Sequence, residues 1–169
     1  MKTTLILVLT LTAAVSPQSP SRLLYGDHTF WINEVPMLGL WHYDEGPTPA
    51  GKERAPQFDF DGFGNWSGYD ATWLIRDSKL YLMKMTAKRD RKRIKNEQIF
   101  PEKEFPLHAD WFTGRIHIAV GGYNHATSKS ESVIVFELEK GNIVKTNFHA
   151  QYEIPSQWNG ISSVEDDSE

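Results

Sequence analysis

The chain has 169 residues, a formal net charge of −4 and no cysteine. These values exclude disulfides, thiolate metal sites and a cysteine-linked lipid anchor. They also argue against general nucleic-acid binding, which calls for a basic chain.

In chain order, Met1-Lys2 precedes the apolar run "LILVLTLTAAV" over residues 5–15. The run is shorter than the ~20 apolar residues that a membrane helix needs. With its positive start and the small residues that follow, it reads as a secretory signal peptide. The expected mature protein is therefore secreted or periplasmic and has no membrane span. Loss of Lys2 takes its charge to −5. The expected organisation is a leader over 1–16, an extended lead over 17–24, a single domain over 25–161, and a frayed acidic tail "SSVEDDSE" over 162–169. About 150 mature residues can bury a core without disulfides. Six Trp, six Tyr and nine Phe supply large side chains for it.

Alternation of apolar and polar residues dominates, and long stripes of 3.6-residue period are missing. Strands are predicted over 29–33, 38–43, 57–61, 69–76, 79–85, 114–120, 132–138 and 142–148, with hairpin turns at Asp77-Ser78 and Lys140-Gly141. Strands 69–76, 79–85 and 132–138 carry apolar residues on both faces, so they are expected centrally with cover on each side. The predicted fold class is mainly β, with antiparallel sheet or sheets forming a sandwich or partly open barrel. Short helical turns are predicted near 109–113 and within 86–98 and 151–158. Residues 44–68 are rich in Gly and Pro and form a long loop, which suits a binding surface.

Four groups of residues could carry chemistry. His108, Asp110 and His117 fall in "LHADWFTGRIHIAV" and are the candidate catalytic residues. An imidazole and a carboxylate in one cleft would suit a small hydrolase. The competing reading is architectural: Asp110 caps a turn that holds Trp111 and Phe112 against the core, and His117 shares the polar face of its strand with Arg115. Trp66 and Tyr69 lie in a Gly-rich loop and offer a stacking platform for a sugar or peptide, or close the core. In the same loop Asp59 and Asp61 echo a calcium-loop rhythm without its bidentate Glu, and Asn65-Trp66-Ser67 fits the N-glycosylation pattern. Lys88, Arg89, Arg91, Lys92 and Arg93 form a basic cluster that Lys84 and Lys95 extend. The 84–95 segment could meet an anionic polymer or an acidic protein, or be a solvated hairpin extension. Nucleic acid is not expected, because aromatics are not interleaved with these cations. No Gly-x-Ser-x-Gly elbow and no phosphate loop occurs. No metal and no cofactor is expected.

The pattern Gly68-Tyr69-x-x-Thr72-Trp73-x-Ile75, Leu80-Tyr81-Leu82, Phe100-Pro101, Asp110-Trp111-Phe112-Thr113-Gly114, Gly122-Tyr123 and Glu137-x-x-x-Gly141 resembles a family of uncharacterised bacterial proteins. The likeness spans about residues 66–145 and implies that Asp110–Gly114 belongs to a common scaffold. It implies no activity. The residues therefore favour a binding or interaction module without cofactor over a hydrolase, or over an inhibitor or immunity-type protein that occupies a partner enzyme.

Overall fold

The computed structural model describes residues 21–59, 65, 67–124 and 129–153. The strands are β1 (Ser21–Tyr25), β2 (His28–Ile32), β3 (Trp41–His42), β4 (Glu53–Arg54), β5 (Tyr69–Arg76), β6 (Lys79–Arg89), β7 (Lys92–Lys95), β8 (Leu107–His108), β9 (Gly114–Asn124), β10 (Lys129–Glu139) and β11 (Asn142–Glu153). A 3-10 turn at Pro36–Gly39 and the single-turn helix α1 (Asn96–Ile99) are the helical elements among these residues. Nine strands form one mixed sheet in the order β2-β1-β5-β6-β11-β10-β9, with β7 and β8 also paired to β6. The fold is mainly β and does not close into a barrel. β3 and β4 form a separate small parallel pair.

Several elements differ from the sequence expectation. Residues 57–59 of the strand expected over 57–61 are irregular, because Asp59 turns to the β6–β7 hairpin, and of the strand expected over 38–43 only Trp41–His42 forms, because Pro36 starts a 3-10 turn that runs to Gly39. Residues 21–24, expected within an extended lead, belong to an interior strand: β1 lies between β2 and β5, parallel to β5, and Leu23 is 0 % exposed. A five-residue strand offers too little alternation to stand out beside a Pro- and Ser-rich stretch. Residues 86–95, expected to hold part of a helix, form the β6–β7 hairpin, and only Asn96–Ile99 is helical. Its turn, Asp90-Arg91, has positive φ at both residues (53° and 62°), as a two-residue hairpin requires. The Asp59 carboxylate stabilises it by accepting from the backbone N–H of Asp90 (3.3 Å) and of Arg91 (2.6 Å). That partner lies some thirty residues away, beyond the reach of local pattern. Residues 151–153 continue β11 instead of starting a helix.

The Asp77-Ser78 and Lys140-Gly141 hairpins form where expected, again with positive φ at both central residues of each. They also meet. Leu80 N–H donates to the Gly141 carbonyl and Ile143 N–H to the Ser78 carbonyl, each at 2.8 Å. Lys79↔Asn142 is the sole register pair joining β6 to β11. The 108–113 segment clamps this junction. Ala109 N–H donates to Leu80 O (2.9 Å), Gly141 N–H to Phe112 O (2.7 Å), and Lys140 N–H to Thr113 Oγ1 (3.0 Å). The ends of the sheet, β2 and β9, pack against each other.

Leu23, Ile32, Trp73, Leu80, Leu82, Met85, Ile116, Ile118 and Phe136 fill the core. Aromatic rings plug one end of it. Trp41 stacks on Phe100 at 5.7 Å and meets Tyr69 edge-on at 5.6 Å, and Phe58 closes over both. Tyr43 sits at the rim with 40 % of its surface exposed. Its hydroxyl, however, hydrogen bonds with that of Tyr69, and the surroundings of the hydroxyl decide its ionisation. Burial raises its pKa above the usual phenol range, and Tyr69 adds to the shift.

Two predictions follow from this packing. Gly141 has φ +73°, and a Cβ there would lie 2.6 Å from the Ala109 carbonyl oxygen. Gly141→Ala is expected to destabilise the fold by about 3 kcal/mol, the sum of backbone strain and overpacking. Gly26 has φ +61° with nothing within 4 Å, so Gly26→Ala is expected to cost about 1 kcal/mol, from strain alone. Equal losses in urea unfolding would refute the clamp. For Tyr43, a folded-state pKa raised above the unfolded one means that stability is intact below the unfolded pKa of about 10 and falls as pH rises past it. Tyr43→Phe is expected to flatten this alkaline loss, read from Tm between pH 8 and 11.

Candidate anion-binding face

β5 and β6 present one face to the core and the other outward. On β5, Tyr69, Ala71, Trp73 and Ile75 are buried, which leaves Asp70 and Thr72 on the outer face. On β6, Leu80 and Leu82 point inward, but further along Met85 and Ala87 take the core side, and Thr86, on the opposite side, is covered by its neighbours to 8 % exposure. The register shift between Thr72 and Trp73 accounts for the switch: Trp73 pairs with Leu82 and Thr72 with Lys84. One extra residue in β6 inverts which side chains face out. Without it, the alternation running from Leu80 and Leu82 would turn Lys84 into the core. With it, Lys84 and Thr86 look outward. Asn96, at the start of α1, holds the bulge on both sides: its Oδ1 accepts from Met85 N–H at 2.6 Å and its Nδ2 donates to Met83 O at 3.2 Å.

The same logic places the flanking strands. Ser21 and Leu23 are buried, so Arg22 faces out from β1. Ile94 is buried, so Arg93 and Lys95 face out from β7. Together Arg22, Asp70, Thr72, Lys84, Thr86, Arg93 and Lys95 line a shallow depression of about 260 Å³ on the outer face. Two rows run across it in register. One is Arg22, Thr72, Lys84, and the other is Asp70, Thr86, Lys95. Four cations surround one carboxylate. Among the described residues none of these charged side chains forms an ion pair, whereas Arg76 pairs with Asp77 at 3.8 Å and Arg115 with Glu137 at 3.4 Å.

This face absorbs only part of the basic cluster read from sequence. Arg93 joins it. Lys88, opposite Arg93, stands next to it on the outward side of the same hairpin. Arg89 and Lys92 pair across the hairpin with the opposite alternation, and the Arg89 guanidinium lies over the Phe58 ring at 5.7 Å. Arg91 forms the tip of the turn. Arg22 was missed because residues 17–24 were read as a lead. Its signal, a cation between buried Ser21 and Leu23, is visible only once β1 is recognised as a strand.

The other candidates resolve differently. Tyr69 is 4 % exposed inside the aromatic plug and offers no stacking platform. Trp66 and Asp61 lie outside the described residues. Asp59 is engaged at the β6–β7 turn. Asn65 is 8 % exposed and accepts from Ser67 Oγ at 3.2 Å, so the side chain that a glycan would need is covered in the folded chain. The 44–68 loop is pinned as far as Asp59: Glu53 N–H donates to Leu40 O and Asp59 N–H to Lys88 O, each at 2.8 Å.

His108, Asp110 and His117 do not form one site. Among the described residues no hydrogen bond or ion pair joins any two of them. His108 packs its ring against Tyr81 at 5.6 Å and its Nε2 against Gly141. Asp110 is exposed and caps nothing; the turn is closed by Phe112 N–H donating to Ala109 O, and Trp111 Nε1 donates to Pro36 O at 3.2 Å. The expectation of an Asp110 cap is therefore corrected, while Trp111 and Phe112 do pack against the core. His117 faces Glu34, whose Oε1 accepts from its backbone N–H (3.1 Å) and lies 2.7 Å from its Nδ1. Both side chains are 14 % exposed. Glu34 lies two residues beyond β2 and ties the β2 end of the sheet to β9.

Among the described residues no group of three or more His, Asp or Glu is placed to hold a metal ion, and no helix is long and apolar enough to cross a membrane. No family model, curated protein or solved structure matches the chain. The reading of the outer face rests on its own residues.

Replacing Asn96 tests how Lys84 is positioned. Asn96→Ala removes both hydrogen bonds at the bulge and is expected to cost about 1–3 kcal/mol. Hydrogen exchange of the Met85 amide should accelerate more than that of Leu80. Uniform acceleration along β6 would mean that Asn96 does not hold the bulge.

Proposed function

We propose that this chain is a secreted or periplasmic binding module, without cofactor, that captures an anionic polymer on the outer face of β1, β5, β6 and β7. The observation that carries this reading is the group of four cations, Arg22, Lys84, Arg93 and Lys95, set on three strands without ion-pair partners among the described residues. Like charges on one face add up to a positive local potential, and an anion on the face lowers its energy. The depression holds about 260 Å³, less than the ~300–1,000 Å³ of a pocket that encloses a small molecule, which suits a polymer lying across the strands. The remainder of the chain is acidic overall, so these four cations stand out against a negative net charge.

The test uses protein beginning at Ser21, which keeps β1 whole, and a fluorescently labelled heparin probe followed by anisotropy. Binding is expected at 50 mM NaCl. By counterion release from three or four contacts it should weaken about 50-fold on going to 200 mM. The triple variant Arg22→Ser, Lys84→Ser, Lys95→Ser should lose at least about tenfold in affinity with little change in Tm, since exposed substitutions usually stay within about 0.5 kcal/mol. Equal binding by the parent and the triple variant would refute the site.

A further inference from the structure

We infer that the polymer suited to this face is an acidic polysaccharide, in which carboxylates are spaced by hydroxyl-bearing sugar rings. This rests on the polyanion reading above and narrows it. The first ground is spacing. Neighbouring strands stand about 4.8 Å apart and alternate residues of one strand about 6.6 Å apart. Arg22 and Lys84 lie two strands apart in one row, so their backbone positions are separated by about 10 Å. Lys95 is one strand and one alternate residue from Lys84, about 8 Å away, and Arg93 lies about 7 Å beyond it on β7. The charges run diagonally across the strands and are well separated. Each strand of a nucleic-acid duplex carries one charge per about 3.4 Å of helix axis, a denser array than these four cations match.

The second ground is what lies between the cations. Asp70 and Thr86 stand in the row of Lys95, and Thr72 stands between Arg22 and Lys84. An ionised Asp accepts hydrogen bonds and donates none, while Thr does both. A carboxylate among cations repels a charge-dense ligand, yet it is a good acceptor for a sugar hydroxyl. Asp70 is therefore a specificity determinant: it disfavours polyphosphate and favours a ligand that brings O–H donors between its anionic groups.

The third ground is Trp31. It pairs directly with Arg22 and so continues the first row onto β2. Phe30 and Ile32 are buried, so Trp31 faces outward, and it is partly exposed. A flat apolar surface at the end of a row of cations and hydroxyls suits the C–H face of a sugar ring. A single-stranded nucleic acid would need aromatics repeated along the groove, and none is interleaved with the cations here.

The deciding experiment compares sodium polygalacturonate with inorganic polyphosphate and poly-glutamate at matched charge in 100 mM NaCl, by isothermal calorimetry on the chain from Ser21. Polygalacturonate is expected to bind tightest. Asp70→Ala should weaken it by about tenfold, the loss of charge-assisted hydrogen bonds, and should strengthen polyphosphate. Trp31→Ala should weaken polygalacturonate and leave polyphosphate unchanged. Asp70 is exposed, so its variant reports on binding even if Trp31→Ala lowers Tm. If Asp70→Ala strengthens both polymers, or if polyphosphate binds tightest, the polysaccharide inference falls while the polyanion reading stands. If no polyanion binds, both fall.

Discussion

The structure depends on a close approach at Gly141. Two hairpins, β5–β6 and β10–β11, meet at their turns and exchange two backbone hydrogen bonds. The 108–113 segment then threads across the meeting point and bonds to both. A side chain at 141 would strike the Ala109 carbonyl and the His108 ring, so only glycine lets the three backbones come together. The two halves of the sheet share a single register pair. Their relative placement therefore comes from this clamp, and from Glu34 reaching His117 at the other side, more than from a continuous ladder.

The histidines and acids of the 107–125 stretch make sense in this light. His108 is a packing residue at the clamp. His117 and Glu34 form a partly buried polar pair that satisfies a strand N–H at the edge of β9, where no further strand among the described residues supplies an acceptor. A buried carboxylate is tolerated when it is hydrogen bonded to a partner of this kind. Trp111 and Phe112 close the core beneath it. The density of chemically versatile residues reflects a junction where many polar backbone groups must be satisfied at once.

β6 links the clamp to the outer face. One edge pairs with β5, and the other is divided among β11, β8 and β7. The bulge halfway along it separates a stretch whose even-numbered residues face the core from one whose odd-numbered residues do. Core packing and the charged surface thereby fall on opposite sides of the same strands. Trp73, Met85 and Ile94 hold the inside, while Thr72, Lys84 and Lys95 line the outer depression.

Much of this architecture was legible in the residues. Period-2 alternation is a local property, and it marked β2, β5, β6, β9, β10 and β11 as well as two hairpin turns. The apolar character of both faces marked β5, β6 and β10 as interior strands, but the cover expected on each side is missing from the outer face of β5 and β6, where Asp70, Met83 and Lys84 are exposed because the bulge turns polar residues outward. The basic character of 84–95 was equally plain. Other features depend on partners distant in sequence. β1 is a strand because β2 and β5 flank it. The β6–β7 turn is held by Asp59, and the bulge by Asn96. The outer face needs Arg22, more than sixty residues from Lys95 in the chain. The sequence by itself determined which residues alternate, and hence the fold class. The tertiary structure decided which face each strand turns outward and which charges meet there, because one inserted residue inverts a strand and only its neighbours reveal the insertion.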